Sequence, residues 1–177
     1  MPDQRIQYTE ELVGAGHPTK PDTLNRLVLV EHNNDGTHKE YNAVAYLSAA
    51  QSLANVTWTK IAFDTVMVNN GNGFDTANNR FVAPVDGRYL VSLVVRTDGW
   101  SNDGFMLIRV VKNGSIIYYG PGNSKLPGTS GLGDALCGIV ELAAGDVLEF
   151  NTYRDNSLDT INISGGIAGT MVSITKV

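Results

Sequence analysis

The run GRYLVSLVVRT, residues 87–97, restricts the fold more than any other part of the chain. Read with the two-residue period of a strand, it puts Tyr89, Val91, Leu93 and Val95 on one face. In a solitary sandwich the opposite face should be polar, yet Leu90 and Val94 stand on it. The run ALCGIV (135–140) is apolar on both faces too. The last strand carries Ile167 and Met171 on one side and Ala168, Val172 and Ile174 on the other. A sheet with two apolar sides needs a second cover, and another copy of the chain is the economical one. Leu90, Val94, Val172 and Ile174 are the candidates for that interface.

The remaining pattern is also β. NAVAYLSAAQSL and VTWTKIAFDTVMV read as strands separated by a turn near Asn55. GFMLIRVVKNG, SIIYYG, DVLEFNTYR and GGIAGTMVSITKV follow, each bounded by Gly, Asn or Asp and rich in Val, Ile, Tyr, Phe and Thr. Only YLSAAQSLAN could also form a short helix. Short strands with turn signals every ~8–12 residues predict a sandwich or barrel. No heptads, collagen triplets or other fixed repeat encodes a shaft.

Within this frame the aromatic spacing is regular. From Phe63 it runs five residues to Asn69, four to Phe74, six to Phe81, five to Gly87 and one to Tyr89. This resembles the signature of the complement component 1q globular-head family, relatives of tumour necrosis factor. That pattern also wants aromatics where Val91 and Leu93 stand, a departure that argues against close kinship with the animal complement members. The resemblance extends over residues 43–177, including LAAGDVLEF before the penultimate strand and GGIAGTMVSI at the last. It implies an all-β, ten-stranded jelly-roll sandwich, homotrimeric, which would supply the cover the two-faced strands require. Phe74, Phe81 and Tyr89 then become core or interface aromatics, and Gly87 permits the tight start of the central strand.

The chain divides near residue 42. Residues 1–42 form an expected N-terminal arm, with one dense apolar run containing Leu24, Leu27, Val28, Leu29 and Val30. Too little apolar content is present for a core of its own, so those five residues are the expected anchoring contacts. The stretch ending in EHNNDGTHK is similar to N-terminal segments of bacteriophage tail-fibre and virion surface proteins, which precede a surface-exposed domain.

Little in the sequence points to chemistry. The formal net charge of −5 disfavours a nucleic-acid partner. The lone Cys137 excludes an internal disulfide; its apolar surroundings predict a buried thiol. His32, Asp35 and His38 could hold a metal, but Asp35-Gly36 is a turn signal and a polar hairpin is the better expectation. Some complement-type relatives bind calcium; here Asp98, Asp103, Asp155 and Asp159 read as solvated turn residues. Trp100 falls on a loop, either ligand-facing or packed on a neighbour. GAGHPTK, residues 14–20, lacks the spacing of a phosphate loop. No catalytic residue, cofactor or resident metal is expected, and no membrane insertion, since no apolar run reaches ~18 residues.

Together these readings predict a non-enzymatic, homotrimeric structural protein on the surface of a bacteriophage virion. It would be a capsid decoration protein or a short tail fibre. Its arm would contact other virion proteins, the major capsid protein or tail proteins, and a tail fibre would add a host surface receptor. The alternative is a secreted complement-type binding module. MPDQRIQYTEELVGAG carries no apolar segment of the kind a secretory leader uses, which disfavours that route.

Overall fold

The computed structural model describes His32 and residues 37–125, 131–155 and 158–177. The chain separates into two compact units, Met1–Glu40 and Tyr41–Val177. In the first, His32 and His38 pair as an isolated antiparallel bridge with ring centroids 4.2 Å apart. Leu24, Leu27, Val28, Leu29, Val30 and Asp35 lie outside the described residues.

The second unit is all-β; its described residues contain no helix. The strands are β1 (Asn42–Tyr46), β2 (Gln51–Ser52), β3 (Thr59–Lys60), β4 (Thr65–Asn70), β5 (Phe74–Asp75), β6 (Arg80–Val82) and β7 (Gly87–Asp98). They continue with β8 (Phe105–Lys112), β9 (Ser115–Tyr119), β10 (Asn123–Ser124), β11 (Gly131–Leu142), β12 (Val147–Asp155), β13 (Asn162–Ile163) and β14 (Met171–Lys176). The two runs expected to be long strands near the start are broken into short pieces. Ser48 leaves the ladder to donate from its amide and hydroxyl to Asp64, at 2.9 and 2.6 Å. Val56 turns the chain with φ of 51°.

Two antiparallel sheets result. In the first, β7 lies between β11 on one edge and β14 on the other; β14 pairs β1, and β1 pairs β4. β13 extends along β7 beyond β14 and carries β2. In the second, β12 pairs β8 on one edge and β3 and β6 on the other. β9 and β10 share the far edge of β8. The β8–β9 hairpin turns at Asn113-Gly114, both with positive φ (49° and 81°), as a tight two-residue hairpin turn demands.

Between the sheets, Tyr89, Val91, Leu93 and Val95 meet Met106, Ile108, Val110, Leu148 and Phe150, all fully buried. The aliphatic Val91 and Leu93 thus fill the core where the complement pattern has rings. Val172 and Ile174 are fully buried here as well. They are core residues of β14, not an outward face: their register with Leu93 and Val91 puts them on the inner side of the sheet. Trp100 is also inside, 2% exposed, and its indole N–H donates to Thr97 Oγ1 at 2.8 Å.

The spaced aromatics form a packed frame. Asn69 clasps the backbone of Phe74, accepting from its amide at 2.8 Å and donating to its carbonyl at 3.1 Å. Phe63 meets Phe74 and Phe150 edge to face, with centroids 6.2 and 5.9 Å apart. Phe81 and Tyr89 pack in the same way at 5.6 Å. The Tyr89 hydroxyl donates to Val85 O at 2.8 Å, tying β7 to the turn before it. Gly87 opens β7 with φ of 154°, a value that strains any residue with a Cβ.

Candidate assembly face

The outward side of the first sheet is built row by row from strand register. One row runs Ile139, Leu90, Thr175; the next runs Cys137, Ser92, Ser173, Val44, Val68; a third runs Ala135, Val94, Met171, Tyr46. Alternation forces this composition. With Tyr89, Val91, Leu93 and Val95 committed to the core, Leu90 and Val94 must point out, and they are 37% and 41% exposed. Ile139 is 54% exposed. Cys137, Ser92 and Ser173 form a row of small residues between the rows of Leu90 and Val94.

Charge is confined to the ends of this surface. Arg88 pairs in register with Glu141 at one end. At the other, Arg96 reaches Asp98 at 3.4 Å, and Asp98 accepts a short hydrogen bond from the Ser164 hydroxyl. An apolar centre with a polar rim is how subunit interfaces are organised. Beside the Arg96 end lies an open depression of about 680 Å³, bordered by Val94, Ala135, Ala168 and Asp134. Burial pushes the Asp134 carboxyl above the usual aspartate range, partly offset by the amides of Ala135 and Gly122.

Of the four interface candidates read from the sequence, Leu90 and Val94 lie on this face and Val172 and Ile174 do not. Ile139, Cys137, Met171 and Val44 take part instead. The expectation of a buried thiol also fails, because Cys137 is exposed midway along the edge strand β11. β11 is apolar on both parities, and only its register with β7 shows which one faces outward.

The remaining sequence candidates are local. Asp159 holds the 101–102 turn, accepting from the amides of Ser101 and Asn102, both at 2.8 Å. Asp155 is exposed at the end of β12, and Asp103 is exposed on the loop before β8. Among the described residues, no three His, Cys, Asp or Glu side chains come together as a metal-binding group, and no helix is long and apolar enough to cross a membrane.

Comparison with solved structures decides the fold. Murine APRIL covers 78% of this chain and all of its own, with a TM-score of 0.57 at 15% identity. The globular domain of the zebrafish complement 1qA protein covers 78% of this chain and 97% of its own, with a TM-score of 0.58 at 10% identity. Eiger TNF from S. frugiperda gives a TM-score of 0.57 at 8% identity, covering 79% of this chain and 94% of its own. The fold is the TNF/C1q-like jelly roll. The C1q domain family profile matches residues 44–130 of this jelly roll, a span that contains the whole frame from Phe63 to Tyr89. The uncharacterized protein YqcC of Bacillus subtilis (strain 168) is 39% identical over 67 residues, 38% of this chain. The chain spans only 18% of YqcC's length.

Proposed function

We propose that the protein is a non-enzymatic homotrimer on the surface of a bacteriophage particle, with its jelly roll outward and residues 1–42 as the anchor. The observation that carries the trimer is the open apolar face around Leu90, Val94 and Ile139, framed by charge at both ends. Such a face left in water is a liability, and three copies packed around it would remove it. The jelly roll itself, a fold of binding modules, supports recognition rather than catalysis.

The particle setting rests on the sequence: the EHNNDGTHK stretch, the apolar run around Leu24–Val30, and the absence of a repeat that could build a shaft. No shaft repeat occurs within these 177 residues, which favours capsid decoration over a tail fibre. Quantitative mass spectrometry of purified particles tests this. Hundreds of copies per particle are the expected result, a few tens would move the protein to the tail, and none would overturn the setting. Full-length protein should also join particles lacking their native copy, and protein without residues 1–42 should not.

A further inference from the structure

The outer side of the second sheet is a different kind of surface. Lys60, Asn151, Arg109 and Tyr119 lie in one register row across β3, β12, β8 and β9. The Trp58 indole is laid over this row, with the Arg109 guanidinium 4.1 Å from its ring centroid. Tyr119 and Tyr153 flank it at 5.9 and 5.4 Å, and Phe105 continues the track 5.9 Å beyond Tyr153. Tyr119 is 57% exposed, whereas Trp58, Tyr153, Phe105 and Arg109 are half-buried. Arg109 donates from Nε to Asn151 Oδ1 at 3.1 Å.

We propose that this aromatic track on the outer sheet is a binding site for a neutral oligosaccharide. A pyranose has apolar C–H faces and a rim of hydroxyls. It is held by flat rings with planar hydrogen-bonding groups set among them, and this face supplies both. The ring-to-ring steps are comparable to one sugar ring each. A subunit interface would be depleted of charge at its centre, whereas here Arg109 sits among the rings and the Lys60–Glu149 pair closes one end of the row. A ring cluster serving only to cover the sheet would bury its members, and Tyr119 is mostly in water.

Charge selects the ligand class. The Lys60 ammonium is held by Glu149 and donates to Asn78 O at 2.8 Å. The Arg109 guanidinium is fixed over Trp58 and bonded through Nε to Asn151, so its charge is partly engaged while its terminal N–H groups can still donate to sugar hydroxyls. With Lys60 paired, Arg109 partly engaged and a net charge of −5 on the chain, the track suits an uncharged glycan and not a phosphate backbone or acidic polymer. The site lies on the sheet opposite the assembly face.

The test is titration of the full chain with cellohexaose, maltohexaose and chitohexaose, followed by calorimetry and tryptophan emission. Trp100 is 2% exposed, so a saturable emission change reports on Trp58. Binding of at least one hexasaccharide is expected. Tyr119→Ala should weaken it roughly tenfold with the mass and unfolding temperature unchanged, and Tyr119→Phe should restore it. Leu90→Asp, aimed at the opposite face, should bind with the same affinity per chain, so failure of the assembly would not be confused with failure of the site. The proposal is overturned if no hexasaccharide binds at millimolar concentration, or if Tyr119→Ala binds as well as the parent. It is equally overturned if an oligothymidylate alone binds, or if Tyr119→Ala changes the mass, which would make the track a contact between copies.

Discussion

The two sheets of this jelly roll turn very different outer faces to their surroundings. The first shows Leu90, Val94, Ile139 and small residues, with charge only at its ends. The second shows rings interleaved with paired charges: Trp58 over Arg109, Lys60 against Glu149. Both sheets share one core and the same alternation, so the inner halves of their strands look alike. The contrast teaches that a strand's outward residues carry the functional information. An aliphatic outer row asks for exclusion of water by a matching surface, whereas rings set among hydrogen-bonding groups remain compatible with water.

The strongest way to break the contrast is to put a charge on the first face. Leu90→Asp should convert an assembled protein to single chains, because three unpaired carboxylates would otherwise be buried at a cost of several kcal/mol each. The monomer should stay folded, since Leu90 makes no contribution to the inter-sheet core; analytical ultracentrifugation with circular dichroism checks both. Moving one position along the same strand should invert the outcome. Leu93 is fully buried, so Leu93→Ala should cost about 2–5 kcal/mol of unfolding free energy through the cavity it leaves, measured by chemical denaturation, while the surviving folded protein still assembles.

That inversion at neighbouring residues marks what was legible in the sequence. The core parity of β7 was readable because Tyr89, Val91, Leu93 and Val95 are unbroken, and the frame from Phe63 to Tyr89 because its spacing is regular. The parity of β14 was not readable: Met171, Val172 and Ile174 are apolar on both faces, and only the pairing of Val172 with Leu93 and Ile174 with Val91 settles it. Cys137 was misplaced for the same reason, through its register with Ser92. The ring track is not legible in the sequence because Trp58 precedes β3 while Tyr119 ends β9 and Tyr153 lies in β12, and the three meet only once the strands are paired.

A smaller effect sharpens the contrast at the polar periphery. Lys112 and Asn113 hold the Asp146 carboxyl down to about 2 from its ordinary 3.8, with Lys112 Nζ 2.8 Å away. The folded value is depressed, so this group adds stability above pH 3.8 that is lost as pH falls toward 2. Asp146→Asn should lower the unfolding temperature slightly at neutral pH and flatten the acid side of the stability profile between those values, as thermal melts at a series of pH values would record. The change should leave both outer faces untouched.

The central claim is that the aliphatic face of the first sheet exists to be covered by copies of the same chain. Light scattering of the full-length protein at micromolar concentration tests it most directly. The account predicts a mass of three chains of 19.0 kDa each, collapsing to one chain in Leu90→Asp. A stable, monodisperse single chain in the unaltered protein would contradict it.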